Sequence, residues 1–194
     1  MSLLGRRLRA RGFQPIGFSY PSVRRTLDEN ADALWHACER VPGPTVHFVG
    51  HSLGGIVILR MMRRHAWQRT GRVVALGSPF LGSAIALRRS ERPFGRRIVG
   101  PGLAEAASGS EAIPWTGPQE IGVIAGTTPF GIGRLLGPIT TPHDGTVMVE
   151  ETRLPGAADH RVVRATHTAL LFSRSVAELV SEFLERGRFP SWTR

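Results

Sequence analysis

The sequence has 194 residues, a formal net charge of +10 and one cysteine. This length predicts a single domain, residues 1–194, with a substantial core, and one cysteine excludes an internal disulfide framework or a Cys-rich metal site. No stretch reaches the roughly 18 apolar residues of a membrane helix, and no signal-peptide pattern is present. We therefore expect a soluble, cytoplasmic protein without a membrane span.

All 25 basic residues are arginine, and they concentrate in residues 6–11, 60–72 and 88–97. Such a charge balance can indicate an acidic partner or nucleic acid. The sequence contains no zinc knuckle, no recognition-helix signature and no basic strand interleaved with aromatic residues. We therefore expect a solvated arginine-rich surface and no nucleic-acid partner, because charge alone attracts polyanions without specificity.

The first part of the chain predicts a helix, a strand and a second helix. The first helix covers residues 2–11, and residues 14–20 form the strand. Thr26 and Glu29 then form a capping box that opens the second helix. Cys38 lies on the apolar stripe of this second helix, so we interpret it as a small core residue rather than a nucleophile.

The rest of the chain alternates between strands and either helices or long crossovers. Strands are predicted at residues 45–49, 72–77, 120–126 and 161–165, and helices at residues 53–65 and from a cap at Ser173 to a stop at Gly187. Residues 80–117 are irregular and predict a pocket or lid-like segment. This alternation predicts an α/β fold, with a mostly parallel sheet and helices on both faces.

The turn Gly50-His51-Ser52-Leu53-Gly54 joins a predicted strand to the helix that follows it. Glycine two places on either side of a serine lets strand and helix approach closely, because a β-carbon there would collide. The serine then lies on a strained backbone, and the helix start directs free N–H groups at charge that develops beside its oxygen. Ser52 is therefore the candidate nucleophile. The alternative is a tight turn with a buried hydroxyl.

A serine hydroxyl is a weak nucleophile unless a base takes its proton and an acid orients that base. Two residues suit these roles by their position in the chain. Asp144 is in the loop after the strand at 120–126, and His167 follows the strand at 161–165. Both therefore lie on loops that leave the carboxyl ends of strands, where the turn at Ser52 also lies.

Four other titratable residues fit the roles of acid and base less well. His51 lies inside the turn, where packing and hydrogen bonding beside the serine is its expected role. His143 precedes the last strand, which breaks the expected order. Asp159 and His160 also precede that strand, and they would emerge at the wrong end of the sheet.

The three motifs together resemble those of bacterial lipases and esterases of the α/β-hydrolase superfamily. The family's serine turn is matched by VGHSLGG at residues 49–55. Its acid loop is matched by DGTV at 144–147, and its base loop by ATHTALL at 165–171. With FSYPS at 18–22, the resemblance extends over about residues 1–189. It implies a nucleophile, an acid, a base and one oxyanion-hole donor, namely Ser52, Asp144, His167 and the backbone N–H of Leu53.

The resemblance does not extend to the start of the sheet. The family has a strand ending in His-Gly, whose following loop supplies the second oxyanion donor, and no such strand is found here. In the family that strand lies between the strands that match residues 14–20 and 45–49. Those two strands would therefore pair directly, or a strand from another chain would fill the gap in a homo-oligomer. A truncated start is the third possibility.

These residues predict a serine carboxylester hydrolase, an esterase or lipase that acts through an acyl-enzyme on short- to medium-chain acyl esters. Its partner is a small-molecule ester, and the mechanism needs no metal or organic cofactor. Two alternatives stay open: a non-catalytic or weakly active hydrolase-fold binding protein, and an acyltransferase on the same triad. Weak activity is a further expectation, because losing one oxyanion donor typically costs about 3–4 kcal/mol of transition-state stabilisation.

Overall fold

The computed structural model describes residues 2–22, 24–84, 100–109, 113–129 and 141–191. Five α-helices and four β-strands lie in these ranges, in the order α1 (Ser2–Arg9), α2 (Leu27–Glu39), β1 (Phe48–His51), α3 (Leu53–Arg64), β2 (Val73–Leu76), α4 (Pro101–Ala107), β3 (Ile121–Gly126), β4 (Asp159–Val163) and α5 (Arg174–Arg186). Two short 3₁₀ helices, Glu150–Thr152 and Ala169–Leu171, lie in the connections on either side of β4.

The four strands form one parallel sheet in the order β1-β2-β3-β4. Val49 pairs with Val74, Val74 with Gly122, and Ile124 with Arg161 across the three ladders. Strands of a parallel sheet that is covered on both faces are apolar throughout, and every residue of β2 and β3 is buried. Because the strands are parallel, their carboxyl ends lie along one edge of the sheet.

Alternate residues of β2 enter two separate cores, one on each face of the sheet. Val73 and Ala75 pack with the apolar faces of α2 and α3. Val74 and Leu76 point the other way and pack with α1 and α5. The helices therefore cover both faces of the sheet, which confirms the predicted α/β architecture.

Both predicted helix caps are present. The Thr26 hydroxyl accepts a hydrogen bond from Glu29 N–H at 3.2 Å, and Glu29 Oε2 accepts one from Thr26 N–H at 2.8 Å. The Ser173 side chain accepts from Val176 N–H at the start of α5, and Gly187 ends that helix in the left-handed conformation. A cap of this kind typically stabilises a helix by about 1 kcal/mol, so these positions fix where the two helices begin and end.

Cys38 is a core residue, as its position on the apolar stripe of α2 predicted. Its side chain is buried in the cluster between α2, α3 and the sheet. Burial raises the pKa of its thiol above the ordinary value, so the reactive thiolate is disfavoured.

Residues 14–20 do not form a strand, so that prediction is wrong. The segment is irregular and joins no ladder of the described sheet. Pro15 has no N–H to donate, and Gly17 offers no side chain to a pleated surface. Of its apolar residues, Phe18 and Tyr20 pack against the core of α2 and α3, and Ile16 is exposed.

As a result, β1 is an edge strand. β2 pairs along one side of β1, and no strand among the described residues pairs along the other. Direct pairing of residues 14–20 with the strand before the serine, one of the alternatives from the sequence, does not occur. Completion of the sheet by a strand from a second chain stays a prediction.

The other four predicted strands are found, although their ends differ. β1 begins at Phe48 rather than at Thr45, which forms only an isolated bridge to Thr70. β4 begins at Asp159 rather than at Arg161, because Asp159 and His160 already pair with β3. Such shifts at strand ends leave the order of the elements unchanged.

Residues 101–107 form α4, although the sequence predicted irregular structure throughout residues 80–117. Gly100 precedes the helix with an extended backbone, and Pro101 occupies the first turn, where its missing N–H removes no helical bond. The alanines that follow are the strongest helix formers. Residues 85–99 and 110–112 of this segment lie outside the described residues.

Three arginines in residues 60–72 form ion pairs with carboxylates of neighbouring elements: Arg60 with Asp28, Arg64 with Asp32, and Arg72 with Glu120. The pairs are partly exposed, so each contributes only about 0–1 kcal/mol. This cluster therefore forms surface contacts between α3, α2 and the sheet, as expected for a solvated face. The cluster at residues 88–97 lies outside the described residues.

Candidate active site

Ser52 lies on the sharp turn between β1 and α3. Its φ of 54° and ψ of −124° form a conformation that residues other than glycine seldom adopt, at a cost on the order of 1–3 kcal/mol. Gly50 permits this turn, since a β-carbon there would lie 2.5 Å from the backbone nitrogen of Gly55. A β-carbon on Gly55 would in turn overlap the Ser78 hydroxyl. Gly50 and Gly55 are therefore a steric requirement of this turn, whereas the collision expected at Gly54 is absent, because a β-carbon there would meet only the Tyr20 hydroxyl oxygen at 3.7 Å.

The amide of Leu53 begins α3 beside the serine. The first N–H groups of a helix have no acceptor within it, and they carry the positive end of the helix dipole. The Ser52 hydroxyl does not cap them, and the Ser52 N–H donates to Leu76 O at 2.9 Å. The backbone of the turn is thus tied to β2, while the hydroxyl is not engaged in capping. Negative charge that develops beside this hydroxyl would be stabilised by the helix start.

Asp144 and His167 are in direct contact at the same edge of the sheet. His167 Nδ1 lies 2.7 Å from Asp144 Oδ2, and the two side chains are 13% and 1% exposed. The other carboxylate oxygen, Oδ1, accepts hydrogen bonds from Thr146 N–H at 2.9 Å and Val147 N–H at 2.8 Å. Because a carboxylate only accepts, Nδ1 carries the proton, and Nε2 is left free to act as a base.

Gly77, directly after β2, lies under this pair. Its φ is 56°, and a β-carbon would lie 3.1 Å from Asp144 Oδ2, from His167 Nδ1 and from Leu170 Cδ1. Gly126, at the end of β3, similarly faces the Asp144 side chain. A β-carbon on Gly126 would lie 2.8 Å from Asp144 Cβ. Asp144 and His167 are thus packed directly onto the ends of β2 and β3.

His51 connects this pair to the turn. Its Nε2 lies 2.9 Å from the carbonyl oxygen of His167, and the two imidazole rings are 4.5 Å apart between centroids. Burial, and secondly the nearby charge of His167, lower the pKa of His51 to about 4, so its ring is neutral at ordinary pH. The hydrogen bonding beside the turn that the sequence suggested for His51 is therefore present.

Tyr20 lies on the other side of the helix start. A β-carbon on Gly54 would lie 3.7 Å from the Tyr20 hydroxyl oxygen, and the phenol ring stacks on Phe18 at 5.8 Å. Burial raises the pKa of Tyr20 to about 12, so the hydroxyl keeps its proton and can donate a hydrogen bond. The sequence indicated only that the segment around this residue resembles one in lipases and gave no role to the side chain.

The other three of the four less suitable residues have partners outside the Asp144–His167 pair. His143 Nδ1 accepts from Gly145 N–H, which shapes the turn after it. His160 Nε2 bonds the Thr152 hydroxyl, and Asp159 Oδ2 accepts from Phe189 N–H. Asp159 and His160 open β4, so they lie at the end of the sheet opposite to His167, as their order in the chain implied.

Glu151 is a residue that the sequence did not single out. Its carboxylate is buried, and it accepts from Met148 N–H at 2.8 Å and from Ala84 N–H at 2.6 Å. Burial raises the pKa of this carboxyl. Glu151 thus joins the acid loop to the start of the segment after β2. Both of its partners are backbone N–H groups, and no sequence motif marks such a contact.

Within the described ranges, no group of three or more His, Cys, Asp or Glu side chains is arranged to hold a metal ion. The helices in those same ranges include none with the length and apolar character to cross a bilayer. The chemistry that the site can support with its own groups is that of a hydroxyl, an imidazole, a carboxylate and helix N–H donors.

The chain has the α/β-hydrolase fold, which confirms the fold implied by the sequence motifs. It is similar to the mature lipase BlEst2 of Bacillus licheniformis, with a TM-score of 0.60 and 17% identity over 84% of this chain and 75% of that one. It is also similar to phospholipase PlaB of Legionella pneumophila, with a TM-score of 0.60 and 17% identity over 77% and 41%. A metagenomic carboxyl esterase, MGS0156, gives a TM-score of 0.56 and 19% identity over 76% and 52%.

No protein-family model and no curated protein matches the sequence. The chain spans 75% of the lipase, but only 52% of the carboxyl esterase and 41% of the phospholipase. At these identities the likeness establishes the fold.

Proposed function

We propose that the protein is a serine carboxylester hydrolase that acts on short- to medium-chain acyl esters through an acyl-enzyme. Ser52 is the nucleophile, His167 the general base and Asp144 the acid that orients the base. The observation that carries the proposal is the 2.7 Å contact between His167 Nδ1 and Asp144 Oδ2, at the sheet edge where Ser52 occupies a strained turn. The fold that the chain shares with a lipase, a phospholipase and a carboxyl esterase supports it.

The chemistry follows from the protonation of His167. Ser52 Oγ attacks the ester carbonyl carbon while His167 Nε2 takes the hydroxyl proton, and Asp144 stabilises the imidazolium that forms. The carbonyl oxygen becomes an oxyanion, which the Leu53 N–H stabilises at the start of α3. The bond to the alcohol then breaks, and the alcohol leaves with the proton from Nε2. Water repeats the sequence on the acyl-enzyme and releases the acid.

We propose that the described parts of the segment at residues 80–117, namely 80–84, 100–109 and 113–117, contact the acyl group. The beginning of this segment is fastened to the acid loop, because Glu151 accepts from Ala84 N–H, and the Glu151 carbonyl accepts from Leu81 N–H at 3.0 Å. A segment tied to the acid loop at its start is well placed to cover the acyl chain. The apolar side chains of these described parts would then decide the preferred chain length.

Hydrolysis of p-nitrophenyl esters of increasing acyl length tests the proposal. The wild type should hydrolyse short and medium esters, and Ser52→Ala should fall to the background rate. Ser175→Ala is the matched control, because that hydroxyl is exposed at the start of α5 and only bonds Ser173 Oγ. Equal rates for the wild type and Ser52→Ala would remove Ser52 from the mechanism.

The second candidate is a non-catalytic or weakly active hydrolase-fold binding protein. The open edge of β1 favours it, because the described chain has no backbone strand there to supply a second oxyanion donor. A fluorophosphonate probe separates the two candidates, since it labels only an activated serine. Labelling of Ser52 supports the hydrolase, and a folded protein that stays unlabelled supports the binding protein. Acyl transfer would appear as ester formation when a competing alcohol is added to the assay.

A further inference from the structure

Three of the polar groups of His167 are held by hydrogen bonds. Its backbone N–H donates to Asp144 O at 2.9 Å, and Nδ1 contacts Asp144 Oδ2 at 2.7 Å. Its carbonyl oxygen lies 2.9 Å from His51 Nε2. Within the described chain, Nε2 is the polar atom of His167 that is left without a partner. The backbone groups and Nδ1 of His167 are therefore held, and Nε2, the atom that the proposed reaction uses, is left without a partner among the described residues.

His51 is the one of these partners that belongs to the turn. It is the last residue of β1, and Ser52 follows it directly. Its contact to His167 spans 116 positions in the sequence, so it joins the turn after β1 to the loop after β4, the strand on the other side of the sheet. The ring of His51 also packs against the ring of His167, at 4.5 Å between centroids and 46° between planes. The hydrogen bond and the ring contact together limit both translation and rotation of the base.

The hydrogen bond defines the tautomer of His51. A backbone carbonyl only accepts, so His51 Nε2 must carry the proton, and a neutral ring then leaves Nδ1 unprotonated. Burial keeps this ring neutral. A neutral donor suits this place, because His167 becomes positively charged during the proposed reaction and a second charge in ring contact would oppose that step.

We propose that His51 is a positioning residue, which holds the His167 loop against the turn that carries Ser52. The expected effect of this contact on the rate of ester hydrolysis rests on the proposed function. The contact itself concerns only His51 and the loop, and it can be measured without any reaction.

The test compares His51→Gln with His51→Asn. Both side chains are neutral amides, but only glutamine is long enough to place an N–H donor where Nε2 of histidine lies. Asparagine ends near the position of Nδ1 and leaves the His167 carbonyl without a donor. We expect His51→Asn to lower kcat for p-nitrophenyl esters by about 10²-fold, the loss typical of misplacing a reacting group by about 1 Å, with KM nearly unchanged. His51→Gln should recover most of this loss.

The second readout is the proton NMR signal of His167 Nδ1–H, recorded in the same two variants with a His167→Gln protein to assign it. We expect a sharp low-field signal in the wild type and His51→Gln, and a broadened or shifted one in His51→Asn. This measurement needs no substrate, so it separates the inference from the proposed function. A wild type that fluorophosphonate does not label defeats the proposed function, while the NMR comparison still decides the role of His51.

Two outcomes would overturn the inference. One is that folded His51→Asn retains the wild-type kcat and the wild-type NMR signal. The other is that His51→Gln and His51→Asn lose activity equally with the same circular dichroism spectrum, which would mean that the side chain acts through packing alone. Should His51→Asn fail to fold, a His51→Gln variant with wild-type kcat and signal supports the inference, and one with neither overturns it.

Discussion

Asp144 binds His167 at two points, one in the backbone and one in the side chain. The Asp144 carbonyl accepts from His167 N–H at 2.9 Å, and Asp144 Oδ2 lies 2.7 Å from Nδ1 of the imidazole. The first contact fixes where the His167 backbone lies, and the second fixes its tautomer and ring orientation. Asp144 and His167 are therefore one structural unit, held at the ends of β2 and β3.

Asp144→Asn tests the contribution of the carboxylate to this unit. An asparagine amide can donate to Nδ1 and so favour the tautomer with the proton on Nε2, which cannot take a proton from Ser52. We expect kcat for a p-nitrophenyl ester to fall by about 10³–10⁴-fold with the fold retained. Steady-state kinetics and circular dichroism on the same sample check this.

Asp159→Asn is the control for Asp144→Asn, because Asp159 lies at the other end of the sheet and accepts from Phe189 N–H. It should alter stability modestly and leave kcat of the folded protein unchanged. Comparable losses of kcat in the two variants would show that Asp144 has no special role in the reaction.

Gly77→Ala probes the packing beneath the pair. The new methyl would press on Asp144 Oδ2 and His167 Nδ1, and alanine is also strained at a φ of 56°. Gly43→Ala is the matched control, since Gly43 has a φ of 88° and nothing within 4 Å of a β-carbon. Each variant should lose about 1 kcal/mol or more of unfolding free energy from strain, but only Gly77→Ala should lose activity. Urea unfolding and ester hydrolysis measure the two effects, and a loss of activity in both variants would contradict the prediction.

The architecture could be predicted from the sequence because its signals are local. The capping box at Thr26 and Glu29, the cap at Ser173 and the stop at Gly187 act within one helical turn, so they are visible in a few residues. The prediction of a strand at residues 14–20 is wrong because a strand also needs a partner. An alternating apolar pattern is equally compatible with a segment that packs on a helical core, which is where Phe18 and Tyr20 lie.

The candidate site could be predicted only in part. Ser52, Asp144 and His167 lie in short motifs after strands, so parallel topology brings them to one edge of the sheet. The contact of His51 with the His167 carbonyl and the anchoring of two loops by Glu151 involve backbone groups far away in the chain. Any residue has such backbone groups, so no motif marks these contacts before the fold is known.

Tyr20→Phe examines whether the phenol hydroxyl serves as a second oxyanion donor. We expect it to do so, because its oxygen lies beside the first turn of α3, where a β-carbon added to Gly54 would be 3.7 Å away. Removing the hydroxyl should lower kcat by about 10²-fold and leave KM and stability nearly unchanged, since phenylalanine keeps the ring and its stacking on Phe18. An unchanged kcat would assign Tyr20 to packing only.

His51 should make the stability of the protein depend on pH in mildly acidic solution. The ordinary pKa of histidine is 6.5, and burial lowers that of His51 in the folded protein to about 4. Between these values the unfolded chain binds a proton that the folded chain does not, so the stabilisation is present above pH 6.5 and is lost as the pH falls toward 4. His51→Gln does not titrate there. We expect the unfolding free energy of the wild type to fall by on the order of 1–3 kcal/mol more than that of His51→Gln across this window.

Urea unfolding at steps through this pH window measures the difference between the two proteins. His47 and His160, whose pKa values are also lowered by burial, are common to both proteins and cancel. A difference that stays constant with pH would show that His51 titrates normally in the folded state and is not held as a neutral donor.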